Sequence, residues 1–298
     1  MTEAARAAIR WYAGHARDLP WRAPGVGAWP ILVSEVMLQQ TPVERVTPVW
    51  SGWVARWPQP ADLAAAPPAE AIRAWGRLGY PRRALRLHEC ARLLRDRYAG
   101  RVPRRLPDLL ALPGVGPYTG RAVAVFAFRQ RHPVVDTNVR RLVARYAGGR
   151  PDAGPVTTAA DLAATEALLP RLPADAAAAS AAFMELGATV CTARAPRCGS
   201  CPLAEGCAWR ARGQPLPDGP RRRRQRYVGT DRQARGALLA VLREATGPVT
   251  ADRLASAWPD ARQRLRALQT LIADGLVCQA AGDQYALPGS VTPAAVTP

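Results

Sequence analysis

The sequence predicts a mostly α-helical protein, and two observations carry that reading. Periodic apolar segments start at proline and stop at glycine, the punctuation of helices. Strand-type alternation is almost absent before residue 275. The most apolar stretch, residues 174–190, is interrupted by Asp175 and Glu185, and no run of about 18 uninterrupted apolar residues occurs, so a membrane span is not expected. The chain has 298 residues, of which 48% are hydrophobic. That is enough for two compact domains with a core and a small third unit.

In chain order, Pro30 sits in the first turn of a helix running through Gln40. A second helix covers Pro68–Leu78 and stops at Gly79; a third opens at Pro81 and ends near Gly100. Further helices span Tyr118–Arg129, Thr137–Tyr146, Thr157–Leu169 and Ala174–Val190. "GQPLPDGPRRRRQR", Gly213–Arg226, combines Pro, Gly and an arginine run and reads as a basic linker. Three short helical segments and a strand-like "QYALP" follow, an order that resembles a small winged-helix unit.

The formal net charge is +18 and the pI about 11.1. Such a balance points to a polyanionic partner, nucleic acid first and an anionic membrane surface second. The N-terminus mixes charges and has no apolar signal core, so a soluble cytoplasmic protein is expected. All 41 basic residues are arginine, so no lysine side chain can form a Schiff base.

Four of the six cysteines fall between Cys191 and Cys207, at the spacing C-x6-C-x2-C-x5-C. A disulfide framework fits poorly in a long chain without an export signal. Cys191, Cys198, Cys201 and Cys207 therefore read as metal ligands. A single C-x2-C pair in a compact loop favours a four-thiolate iron–sulfur cluster over zinc and leaves both open. Cys90 and Cys278 stand alone and are expected to be buried apolar residues.

Three further stretches carry chemistry. "LPGVGPYTG" joins two predicted helices, and Leu112, Gly114, Val115 and Gly116 form a turn that offers backbone N–H groups beside a helix N-terminus. A G-x-G alone is often just a tight turn; between two helices and in so basic a chain it reads as a helix-hairpin-helix clamp for a DNA backbone. "WPILVSEVMLQQTP" places Glu35 in a broadly apolar helix. Buried there, its pKa would rise toward neutrality and suit a general acid; at the helix edge it would be an ordinary surface glutamate. "HPVVDTNVRR" puts Asp136 just before a helix, where it is a favoured N-cap and, while ionised, can also face a developing cation.

Together these motifs resemble adenine DNA glycosylases of the MutY type, in the helix-hairpin-helix superfamily that includes endonuclease III. The resemblance covers about residues 7–212 and rests on "LPWR", "SEVMLQQTPV", "AWGRLGYPRRALRLHEC", "LPGVGPYT", "VVDTNVRRLVARY" and "MELGATVCTARAPRCGSCPL". It implies a two-lobed fold: a six-helix barrel with the hairpin over residues 26–134, and an iron–sulfur domain from residues 1–25 and 135–212. A linker at 213–228 and a winged-helix-like segment at 229–298 follow. It further implies a 4Fe–4S cluster on the four cysteines, Glu35 as general acid, Asp136 as the carboxylate facing an oxocarbenium ion, and Asn138 as its helper. Tyr118 matches the position where the lyase branch carries its Schiff-base lysine. Gln39, Gln40 and Tyr80 match residues at the DNA, the last two entering the base stack. The pattern departs at Ala181, where the family commonly has Gln or Glu touching adenine. The C-terminal segment is short and not sheet-rich, unlike the Nudix-like domain of fuller members.

The expected activity is excision of adenine mispaired with 8-oxoguanine or guanine in double-stranded DNA, by a monomer associated with the nucleoid when on DNA. A thymine or uracil mismatch glycosylase is the alternative enzyme. A noncatalytic iron–sulfur DNA-binding or redox-sensing protein is the alternative of another class.

Overall fold

The computed structural model of the chain describes residues 1–216 and 227–290; the predicted basic linker lies largely outside them. Fifteen α-helices occur among the described residues: α1 Glu3–His15, α2 Ala28–Leu38, α3 Val43–Arg56, α4 Pro60–Ala65, α5 Pro68–Trp75, α6 Arg82–Tyr98, α7 Leu106–Leu110, α8 Pro117–Phe128, α9 Thr137–Tyr146, α10 Ala159–Leu168, α11 Pro173–Thr189, α12 Ala208–Ala211, α13 Asp231–Glu244, α14 Ala251–Ala257 and α15 Ala261–Ala273. Three short strands are β1 Val249–Thr250, β2 Cys278–Gln279 and β3 Gln284–Ala286. The chain divides into two compact units. One takes Met1–Glu35, Pro103–Ala111 and the chain from Val115 onward; the other takes Val36–Val102, Leu112–Gly114 and the C-terminal part.

The first unit is built on α1, α9 and α11. Ala4, Ala5 and Ala8 of α1 meet Val139, Leu142 and Val143 of α9 and Ala176, Ala179, Ala182, Phe183 and Leu186 of α11. The alanines keep the helices close, which is why the most apolar stretch of the sequence is a core helix. No helix among the described residues is long and apolar enough to cross a membrane. α9 begins where its sequence says: Asp136 caps it, accepting from Val139 N at 2.7 Å.

In the second unit α3 to α6 pack around Trp53 and Trp75, both fully buried and in edge contact at 5.7 Å between centroids. Two predicted helices end early here. The one from Pro68 stops at Trp75 because Gly76 takes φ 54°, not at Gly79. The one carrying Glu35 stops at Leu38, and Gln40 adopts φ 54°. Both shortened ends free chain for exposed corners.

The C-terminal part of this unit runs α13-β1-α14-α15-β2-β3, with the strands in antiparallel order β1-β3-β2. That is a winged-helix arrangement. β1 lies before residue 275, and with two residues it is too short to show alternation. Leu238, Leu239, Leu242, Leu254, Leu268, Leu271 and Leu287 form the core, shared with Ala69 and Ile72 of α5. Arg73 also donates to the Arg243 and Ala245 carbonyls at 3.3 and 3.1 Å. Each buried leucine contributes about 1.5–3 kcal/mol, so this segment gains stability by docking on α5. Cys90 is buried as expected, whereas Cys278 is only half-buried because it sits on edge strand β2.

Candidate active site and metal centre

Glu35 is held by the most uniformly buried helix of the chain. Ile31, Leu32, Val33, Val36 and Met37 surround it in sequence, and all are buried. Glu35 itself is 5% exposed. Burial, joined by the charge of Asp136, pushes its carboxyl up to about 7 against a hydrogen bond from Tyr118 and the charge of Arg22. Its Oε2 has no partner, an orphaned buried acceptor that is compatible with a proton on that oxygen.

Tyr118 is the second residue of α8. Burial and the Glu35 and Asp136 carboxylates drive its phenol well above the usual range, so it stays neutral and donates to Glu35. Asp136 Oδ2 accepts from Asn138 Nδ2 at 2.9 Å while Oδ1 caps α9. Burial raises the Asp136 pKa; those hydrogen bonds and Arg141 work in the opposite direction. Glu35, Tyr118, Asp136 and Asn138 are thus gathered in one unit. One carboxyl there is poised near neutrality and a second is held by fixed donors.

Several supporting residues are invisible in the sequence. Glu185 is fully buried and accepts from Arg17 Nε at 2.6 Å and Arg22 Nη1 at 2.8 Å. Burial would raise its pKa, but the two guanidiniums outweigh it and the pKa falls. Arg141 donates to Asn138 Oδ1 at 2.9 Å, to the Gly187 carbonyl and to the Cys191 carbonyl at 2.7 Å, so it ties the start of α9 to the cysteine loop. Gly187 lets α11 touch that start: a Cβ there would lie 2.6 Å from Asn138 O and 2.8 Å from its Cβ. Gly187→Ala is expected to force α9 and α11 apart, cost about 1–3 kcal/mol, and slow any chemistry that uses Asp136. A thermal melt read beside single-turnover rates checks this. Ala181, one turn before Glu185, offers no polar group.

The remaining site candidates fall in the other unit or on the hairpin turn. Gln40 is exposed with φ 54°, and Tyr80 is 54% exposed with φ 47°. Arg83 joins their corners, donating to the carbonyls of Val36 (2.9 Å), Gln39 (2.5 Å) and Gly79 (3.0 Å). Burial lowers its pKa to about 10. On the hairpin, Leu112 and Val115 are buried anchors, while Gly114 and Gly116 are exposed. Gly114 needs to be glycine twice over: φ is 80°, and a Cβ would meet Arg86 Cβ at 2.9 Å. A backbone contact to phosphate at this turn would run through the two glycines.

Cys191, Cys198, Cys201 and Cys207 are free thiols lining one cavity with Val190, Ala204, Trp209 and Arg210. Arg145, buried over the Trp209 ring at 4.5 Å, donates to Cys191 Sγ at 3.4 Å, and Gln214 Nε2 donates to Cys198 Sγ at 3.1 Å. A tetrahedral zinc with bonds of about 2.3 Å would draw its sulfurs to within about 4 Å of one another. Among the described residues no three His, Cys, Asp or Glu side chains are grouped to hold a single ion. Four thiols spread around a cavity, with N–H donors to sulfur, fit a larger polynuclear cluster.

Comparison with known proteins agrees. Residues 33–165 match the family described as HhH-GPD superfamily base excision DNA repair protein. Residues 191–207 match the iron–sulfur binding domain of endonuclease III. The chain is 57% identical to an adenine DNA glycosylase of Mycobacterium tuberculosis, over 94% of this chain and 92% of that protein. It is 40% identical to the Homo sapiens adenine DNA glycosylase, over 68% of this chain and 39% of that protein. Among solved structures, a thermostable thymine-DNA glycosylase superposes with a TM-score of 0.63 at 27% identity, covering 70% of this chain and 95% of its own. An endonuclease III–DNA covalent intermediate gives 0.59 at 24% identity, covering 72% and 100%.

The chain therefore carries a 4Fe–4S cluster, and the matched loop after α11, residues 191–207, contains the four thiols that would hold it. Purified protein is expected to be yellow-brown with about four irons per chain, which elemental analysis checks, and Cys198→Ser to weaken DNA binding more than global helicity, which a duplex-binding titration beside circular dichroism checks. With its helical fold, its hairpin and its cysteine loop matched in order, the chain belongs to the adenine DNA glycosylase family of the helix-hairpin-helix base excision repair superfamily.

Proposed function

We propose that the chain binds duplex DNA, flips out an adenine mispaired with 8-oxoguanine or guanine, and hydrolyses its glycosidic bond to leave an abasic site. The observation that carries the mechanism is Glu35: buried, hydrogen-bonded through one oxygen to Tyr118, unpartnered at the other, and with a pKa raised to about 7. Protonated Glu35 donates to a ring nitrogen of adenine, and the base leaves with the electrons of the glycosidic bond. The sugar becomes oxocarbenium-like, as in other glycoside hydrolyses. Asp136, oriented by Asn138 and Val139 N, stabilises that cation. Water then adds at the sugar carbon and gives up a proton to the Glu35 carboxylate, which restores the acid. No lysine is available for a Schiff base, so the reaction ends at hydrolysis.

In this reading, Gln40 and Tyr80 enter the base stack, Gln39 contacts the DNA beside them, and the Gly114–Gly116 turn holds the backbone. Residues 26–134 serve as the barrel, residues 1–25 and 135–212 as the cluster domain, and the enzyme acts as a monomer. Single-turnover excision on duplexes that each hold one mispair tests the proposal. Adenine opposite 8-oxoguanine or guanine should be removed. Excision of thymine or uracil opposite guanine instead would favour the mismatch-glycosylase reading, and binding without any excision the noncatalytic one.

A further inference from the structure

The winged-helix part carries a charged helix face that the chemistry above leaves unused. α15 holds Arg262, Arg264 and Arg266 and no acidic residue. Ala267, Leu268 and Leu271 point into the core, and Arg264 turns back to the carbonyls of Trp258 and Pro259 at 2.7 and 3.2 Å. One exposed stripe of α15 runs Arg262, Leu265, Arg266 and Gln269, spaced i, i+3, i+4, i+7, and continues to exposed Ile272. Among the described residues one ion pair lies on this face, Arg266 to Asp231 at 3.5 Å, and its two side chains are each more than half exposed. Such a pair is too weak to occupy the guanidinium.

The position of this face matters as much as its charge. Asp274, which caps the C-terminus of α15, is bridged to Arg235 of α13 at 2.5 Å and to Arg82 of α6 at 3.2 Å. Arg82 opens α6, two residues after exposed Tyr80. α15 therefore ends at the Gly79–Arg82 corner, the corner assigned above to the base stack.

We infer that α15 is a second duplex-contacting element, which lays Arg262, Arg266 and Gln269 along a groove of the DNA that flanks the mispair. The inference rests on the duplex-binding reading. Two guanidiniums one helical turn apart can pair with phosphates on the groove's edge, and the glutamine amide can reach base edges. A helix of this kind, third in a winged-helix order, is shaped to enter a major groove.

The test uses the full chain and a duplex with one adenine:8-oxoguanine mispair and long flanks on both sides. Kd is measured across a salt series for the wild type, Arg262→Ala, and Arg262→Ala/Arg266→Ala. Each lost phosphate contact should reduce the salt slope of log Kd by about 0.9, so the double variant loses about 2 and the single variant about 1. The double variant should also bind roughly tenfold more weakly at moderate salt and shorten the hydroxyl-radical footprint on one side. Its single-turnover excision rate at saturating enzyme should equal that of the wild type. Unchanged slope, affinity and footprint in both variants, with a wild type that binds and excises, would overturn the inference and give the face to another partner, such as a protein docking on Leu265. A wild type that neither binds nor excises would instead sink the duplex-binding reading on which the inference stands.

Discussion

Glu35→Gln is expected to lower single-turnover adenine excision by at least about 100-fold, the lower range for losing acid–base catalysis. The amide keeps the shape of the side chain and can still accept from Tyr118, but it carries no transferable proton. Binding to the mispair should survive, because Glu35 lies inside α2 and contributes no phosphate contact in this account. The same substitution should alter stability in a pH-dependent way. A buried carboxyl whose folded pKa is about 7 binds its proton more tightly in the folded state than in the unfolded one, where the value is 4.5. Wild-type stability therefore falls relative to the variant as pH rises from 4.5 through 7, by about 3 kcal/mol in total, and levels off above. Denaturant melts of both proteins at pH 5 and pH 8 check it. The site thus carries a cost at neutral pH for holding its acid ready.

Glu185→Ala is expected to be among the most destabilising single changes in the chain. Its carboxylate is fully buried and bonded by Arg17 and Arg22. Removing one member of such a group leaves the opposite charges uncompensated and costs about 3–5 kcal/mol. For a protein of this size that lowers Tm by roughly 10 °C. The effect should reach the chemistry too, because the charge of Arg22 is one of the influences that hold the Glu35 pKa down. Glu185→Gln keeps the volume but not the charge and should fall between wild type and alanine. A thermal scan followed at the cluster's visible absorbance and in the far ultraviolet separates global melting from loss of the cluster.

Local chemistry explains what could be read in advance. α9 was readable to the residue because an N-cap aspartate marks its start. The apolar helix around Glu35 left a buried and an edge position both open, and the structure places it inside, 5% exposed. In the C-terminal part three helical segments and a final strand were legible, whereas β1 and β2, two residues each, were too short to read. Other features depend on partners far away in sequence. Arg17 and Glu185 are 168 positions apart, and Arg141 reaches a carbonyl 50 positions on; no window of the sequence contains either pair. Arg83, in the quoted "YPRRALRL", gave no sign that it gathers the carbonyls of Val36, Met37, Gln39 and Gly79. α3 was hidden by Pro48 in its interior, and α4 by its six-residue length. Gly76 ended α5 three residues before the glycine that looked like the stop, since either glycine can adopt the required φ.

In this mechanism a buried, protonated Glu35 drives departure of the base. The pH profile of single-turnover adenine excision, from pH 6 to pH 9 on a duplex with one adenine:8-oxoguanine mispair, tests it most directly. The rate should hold level while Glu35 is protonated, then fall about tenfold per pH unit once the pH exceeds the raised pKa, and the residual rate of Glu35→Gln should show no such fall. A wild-type rate that stays flat or rises through this range would contradict the account.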